Sequence, residues 1–164
     1  MSPKENTDIV LHLLHEVFTQ GNTAAFRAFG TPNVTLHLAG YPDSFRGPDA
    51  LQKWADTYLS AFDVQHIIDD VAADRDVVMV RWTMRSTHKG EYLGIPPTGR
   101  QVTFTALEWF RLENGKIAEV WSMFDTLSVM QQLGVFPKGR PPRALMWLIV
   151  QLQRLGRKRE KKQA

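Results

Sequence analysis

Asp125 is the first residue to weigh as a reactive group. It follows a strand-like run, Ile117–Phe124, whose period-two alternation puts Ile117, Glu119, Trp121, Met123 and Asp125 on one face. A carboxylate beyond a Trp and a Met is expected in an apolar setting, which raises its pKa toward values useful for acid/base work. Asp is equally a favoured helix N-cap, and Asp125 immediately precedes a helix-like run, Thr126–Leu133, that Gly134 ends. On the residues alone both roles stay open. His37, in the short run VTLHL, and His88, at the end of the set Val78, Val80, Trp82, Met84, Ser86 and His88, are the candidate polar partners. Each reads at least as readily as an ordinary histidine. His12, His15 and His66 are read as structural.

Other chemistries find little support. There is no cysteine, which removes disulfides, thiolate catalysis and cysteine-ligated zinc. No glycine-rich phosphate loop joins a strand to a helix, and no GxSxG elbow occurs. The one helical His/Glu pair, His12 with Glu16, falls short of a metal ligand set, so neither metal nor cofactor is expected. The aromatic residues Trp54, Tyr58, Trp82, Phe104, Trp109 and Trp121 could line a pocket for a flat apolar ligand. They could equally be plain core.

The elements that would position these residues follow from periodicity. Ile9, Val10, Leu13, Leu14, Val17 and Phe18 recur at helical spacing up to Gly21. Asn22 can cap a second short helix carrying Ala25, Phe26 and Phe29, and Thr31-Pro32 breaks it. Val34–Leu38 reads as a short strand. Gly47-Pro48-Asp49 opens a third helix bearing Leu51, Trp54, Tyr58 and Phe62 on one face. Strands follow at Val64–Val71, Val77–His88, Gln101–Leu112 and Ile117–Phe124, the last pair joined by Asn114-Gly115, a strong two-residue hairpin signal. Helices first and a meander afterwards predict an α+β layer: a curved antiparallel sheet packed against N-terminal helices around a pocket.

At 164 residues with 43% hydrophobic content, one domain with a real core is expected over residues 1–137. The basic balance belongs elsewhere. Nine Lys/Arg and one Glu lie between Lys138 and Ala164, a charge of +8 within an overall +3, which leaves residues 1–137 at −5. No basic stripe on the fold itself is visible, so nucleic acid is not an expected partner. Residues 138–164 read as a Pro/Arg linker and an amphipathic basic helix with Leu145, Leu148, Ile149, Leu152 and Leu155 on one face. Such a helix suits contact with an anionic membrane surface, or packing on its own domain or a partner subunit. The polar N-terminus, MSPKENTD, makes a soluble, cytoplasmic protein the expectation.

The stretches His88–Gly99 (HKGEYLGIPPTG), Asn114–Trp121 (NGKIAEVW), Asp125 and Gln131–Gly134 (QQLG) resemble the SnoaL-like polyketide cyclase, or ester cyclase, family. The resemblance covers roughly residues 6 to 136. It implies the cone-shaped fold of nuclear transport factor 2, commonly a homodimer through the sheet, and cofactor-free chemistry on a small, mostly apolar molecule. It further implies Asp125 as general acid/base in an intramolecular aldol-type ring closure, with His37 or His88 positioning the substrate or donating to the developing oxyanion. Where such cyclases often carry polar substrate contacts, the penultimate strand here reads as an apolar wall of Leu107, Trp109 and Phe110 around Glu108. Two alternatives are carried alongside. One is epoxide hydrolysis on the same fold, with Asp125, Arg81 and Asp70. The other is a non-catalytic protein that binds a hydrophobic ligand.

Overall fold

A computed structural model describes residues 1–137 and, beyond them, Trp147 alone. The basic helix expected within residues 138–164 therefore lies outside the described residues. Helix α1 (Pro3–Phe18) starts at a capping box: Ser2 accepts from the Glu5 N–H while Glu5 reaches back to the Ser2 N–H. Its buried stripe of Val10, Leu13, Leu14 and Val17 is the one the spacing gives. Helix α2 (Ala25–Phe29) follows, with Ala24 at its N-cap. Asn22 does not cap it, because its side-chain amide turns back to the Glu16 carboxylate. Helix α3 (Pro48–Ala61) opens on Gly47, whose φ of 79° suits glycine alone, and on Pro48 in its first turn.

Six strands form one sheet: β1 (Gly30–Leu38), β2 (Phe45–Arg46), β3 (Phe62–Asp74), β4 (Val77–His88), β5 (Gln101–Glu113) and β6 (Lys116–Phe124), in the order β2-β1-β6-β5-β4-β3. The meander β3–β6 is antiparallel as expected, and Asn114 and Gly115 both take positive φ in the β5–β6 turn. β1 joins the edge of β6 in parallel, so the sheet as a whole is mixed. Short helix α4 (Thr126–Leu133) packs over β5 and ends on Gly134 in the left-handed region.

The two faces of the sheet differ in kind. On the inner face, Val78, Val80, Trp82 and Met84 of β4 meet Val102, Ala106 and Phe110 of β5 and Val120 of β6, all buried under α1 and α3. On the outer face a row runs across the strands in register, Met79–Trp109–Trp121–His37, with Leu107 opposite Met123 beside it. Trp121 is 48% and Met123 65% exposed. A period of two allows either assignment until a neighbour is known, and here the covering helices decide it.

The segment between β4 and β5 is pinned at its base. The Lys89 and Gly90 N–H groups both donate to the Ala61 carbonyl, and the His88 N–H donates to Arg100. Gly90 has no room for a side chain, since a Cβ there would lie 2.5 Å from the Ser60 carbonyl oxygen.

Candidate active site

Between α1, α3 and the inner face of the sheet lies a cavity walled by Phe18, Trp54, Tyr58, Phe62, Trp82 and Phe104, with Phe124 and Val129 at the β6–α4 end. Four of the expected ligand-contacting aromatics, Trp54, Tyr58, Trp82 and Phe104, do face it. Trp109 and Trp121 do not. They stand on the opposite face, because odd-numbered residues of β5, and those of β6 from Glu119 on, point outward. Ile117, expected on that face, is instead buried, since the register shifts between Arg111 and Leu112.

One charged group faces this apolar space, Glu108. It stands on the central strand β5, directly opposite Val80 on one side and Ser122 on the other, and is 6% exposed. Burial pushes its pKa up to about 7. The Ser122 hydroxyl and the Trp82 indole N–H both favour the carboxylate, but less than desolvation opposes it. The indole N–H closes no full hydrogen bond among the described residues, so Glu108 is flanked by a donor still free to tighten on an anion. A carboxyl group in an apolar chamber with a pKa near neutrality can both accept and return a proton.

Sequence reasoning passed over Glu108 by grouping it with Leu107 and Trp109. The signal was present: Val102, Phe104, Ala106, Glu108, Phe110 and Leu112 alternate with a more polar set, and Glu108 is the lone charge on the apolar side.

Asp125 is placed differently from expectation. It is exposed at the N-cap of α4, where its Oδ1 accepts the Ser128 N–H at 2.9 Å, and it does not line the cavity. The apolar setting expected beyond Trp121 and Met123 is thus corrected: that face of β6 is the open one. His37 is on the same outer side. Its Nε2 lies 3.1 Å from Glu119 Oε1 and its ring stacks on Trp121 at 3.9 Å, while Arg111 donates to the other Glu119 oxygen at 3.2 Å. His88 ends the buried stripe of β4 as its spacing suggests, with no exposed surface. The Thr98 N–H donates to its Nδ1 at 3.2 Å, and its ring stacks on Phe62, a cavity wall. Desolvation draws its pKa down, with the Gly90 backbone opposing. It holds the β4–β5 segment rather than facing the cavity.

His66 is a further, half-buried histidine, between Phe18 and Trp82, and desolvation lowers its pKa to about 4. Arg81 pairs with Asp69 at 3.3 Å, and none of Arg81, Asp70 and Asp125 lines the cavity, so the residues named for epoxide hydrolysis are not gathered there. Among the described residues no set of three or more His, Asp or Glu side chains converges as metal ligands would. No helix among them is long and apolar enough to cross a membrane.

The cavity is tight. Its free space is about 40 Å³, room for no more than a few waters. A second, wider recess of about 340 Å³ lies against it and shares Tyr41, Trp54, Tyr58 and Tyr92 with it. Tyr41 and Tyr92 link hydroxyl to hydroxyl at 3.1 Å among those shared walls, and Leu93 beside them holds a φ of 52°. A ligand larger than water reaches Glu108 only if these side chains move.

Residues 8–133 match the family model described as SnoaL-like polyketide cyclase. Among solved structures, a Jannaschia sp. CCS1 protein assigned to the SnoaL-like polyketide cyclases is 22% identical, with a TM-score of 0.76 over 82% of this chain and 95% of its own. AclR from Streptomyces galilaeus, assigned as a hydroxylase, is 24% identical, with a TM-score of 0.71 over 83% of this chain and 100% of its own. IdmH from Streptomyces antibioticus, assigned as a polyketide cyclase, is 28% identical, with a TM-score of 0.66 over 79% of this chain and 98% of its own. No curated protein sequence matches the chain. The fold shared with these structures is the expected nuclear transport factor 2-like one.

Proposed function

This chain belongs to the SnoaL-like polyketide cyclase family, and from that membership we propose that it is a cyclase-type enzyme using Glu108 as general acid/base on a small, mostly apolar carbonyl compound. The observation that carries this reading is a single carboxyl group, buried in an aromatic chamber, with its pKa raised to about 7. In the proposed sequence, ionised Glu108 takes a proton from the carbon α to an ester or ketone carbonyl. The C–H electron pair passes into the enolate, the enolate carbon attacks a second carbonyl of the same molecule, and Glu108 returns its proton to the new alkoxide. The sequence is redox-neutral and balances without a cofactor. Apolar walls contribute orientation and exclusion of water, which together lower a barrier by several kcal/mol. Trp82 and Ser122 stabilise Glu108 whenever it is charged.

Acetophenone in deuterated buffer near pH 7 tests the proton-transfer half of this sequence, read as deuterium entering the methyl group. The wild type is expected to exchange faster than buffer, Glu108→Gln to fall to the buffer rate, and Asp125→Asn to keep the wild-type rate. Loss of exchange in Asp125→Asn with retention in Glu108→Gln would return the role to Asp125, which the family resemblance favours. No exchange by the wild type, with acetophenone bound, would leave a ligand-binding protein. Mass spectrometry of small molecules that copurify would then name the substrate.

The outer row of exposed Met79 and Trp121 with half-buried Trp109 between them, flanked by Leu107 and Met123, is the surface proposed to join two copies of the chain. Contiguous apolar area of this kind marks association surfaces on soluble proteins.

A further inference from the structure

Tyr58 carries a hydroxyl that finds no partner among the described residues. It stands on α3, is 9% exposed, and lines the same cavity as Glu108. Its ring stacks on Phe62 at 5.0 Å and on Trp54 at 6.2 Å, with Tyr92 edge-on at 6.0 Å. The two other tyrosine hydroxyls nearby, Tyr41 and Tyr92, satisfy each other at 3.1 Å. The Tyr58 Oη is shut off from solvent and bonds to nothing among the described residues. Such a group destabilises the fold, and buried polar atoms are otherwise almost always paired. A phenylalanine would pack the same stack without that penalty, so the hydroxyl is accounted for by something that enters the cavity.

The chemistry of the group fixes what it can do. Desolvation, helped by Tyr41, holds its pKa well above the ordinary tyrosine value. It stays protonated and acts as a donor, never as a base. On the reading that Glu108 is the acid/base, we infer that the Tyr58 O–H donates to the substrate's carbonyl oxygen, the atom that turns into the enolate oxygen when Glu108 removes the α proton. The α C–H bond breaks and a carboxyl O–H forms on Glu108. The electron pair becomes the enolate C=C bond, and the negative charge arrives on the oxygen facing Tyr58. A donor in a dry chamber stabilises that charge more than it does the neutral carbonyl, the condition for lowering a barrier. This assigns the ligand a chemical class: a flat, apolar ketone or ester that presents one unhindered carbonyl oxygen to α3.

The test compares acetophenone, labelled with carbon-13 at its carbonyl, with ethylbenzene of the same shape, on wild type and Tyr58→Phe. In the wild type the infrared carbonyl stretch of bound acetophenone is expected at lower frequency than in hexane. In Tyr58→Phe that red shift is expected to vanish and acetophenone affinity to fall about tenfold, with ethylbenzene affinity unchanged. Ligand-free Tyr58→Phe is expected to unfold at the same temperature as wild type or higher, because an unpaired hydroxyl has been removed. The inference is overturned by any of four results: no acetophenone binding to wild type, the same carbonyl stretch in both proteins, an equal loss for ethylbenzene, or a lower unfolding temperature in Tyr58→Phe. The Glu108 reading fails separately. Deuterium exchange that survives Glu108→Gln, alongside a red shift that depends on Tyr58, would remove the base and leave the donor.

Discussion

Replacing Glu108 by Gln makes the stability of this protein depend on pH in a way whose sign and size follow from burial. The carboxyl pKa rises from 4.5 to about 7 on folding, because the charged form is desolvated in the cavity. Above 4.5 the unfolded chain loses this proton while the folded protein keeps it. Stability from this group is therefore fully present below 4.5 and is lost as pH rises through about 7. That rise corresponds to about 3 kcal/mol, a large fraction of a typical domain's stability. His66 works in the opposite direction. Its pKa falls from 6.5 to about 4, so its contribution is present above 6.5 and lost as pH falls toward 4, again by about 3 kcal/mol. Across pH 5 to 8 these two contributions nearly cancel. Glu108→Gln uncovers the His66 slope. Urea unfolding at pH 5, 6, 7 and 8 should show the variant gaining about 2 to 3 kcal/mol over wild type between the ends of that range. A difference between the two proteins that stays constant with pH would refute the reasoning, since Glu108 would then titrate alike in both states.

Three further outcomes follow from local geometry. Asp125→Ala removes the acceptor of the Ser128 N–H and is expected to lower stability by about 1 kcal/mol, whereas Asp125→Asn, itself a good N-cap, should unfold with wild type. Thermal denaturation of both variants checks this. Gly90→Ala pushes a methyl group against the Ser60 carbonyl and the Ala61 backbone, where neither can retreat without shifting the α3–β3 junction. A loss of about 1 to 3 kcal/mol is expected in urea unfolding. Met123→Lys places a charge in the outer apolar row and should turn a dimeric wild type monomeric in sedimentation equilibrium, with circular dichroism unchanged; a monomeric wild type would remove the proposed association surface.

The elements were legible because their signals were local. The Ser2–Glu5 box, Pro48 after Gly47 and Asn114-Gly115 each act through neighbours in sequence, and each stands where its chemistry places it. The site was less so. Alternation along β6 pairs Trp121 with Asp125 correctly, yet which face of a strand is covered depends on α1 and α3, more than fifty residues away. Along β6 the alternation holds only from Glu119 on, since Ile117 and Ala118 are both buried where the register shifts. The inward Val120, Ser122 and Phe124 contrast too little with the outward Trp121 and Met123 for the pattern alone to decide. On β4 the contrast is sharper, and the stripe from Val78 to His88 is buried throughout, as alternation indicates. The parallel pairing of β1 with β6 left no local trace, since it joins segments some eighty residues apart. Glu108 was readable in principle, as a charge in the apolar phase of a strand.

The claim that matters most is that Glu108 holds a proton near neutral pH inside the aromatic cavity. Carbon-13 NMR of the glutamate side-chain carboxyls, with Glu108 assigned by its absence in Glu108→Gln, follows that proton directly. A midpoint of about 7 is predicted for this one resonance. A midpoint in the ordinary carboxylate range would contradict the account, because burial would then not have raised the basicity of Glu108 toward neutrality, the property on which its role as acid/base rests.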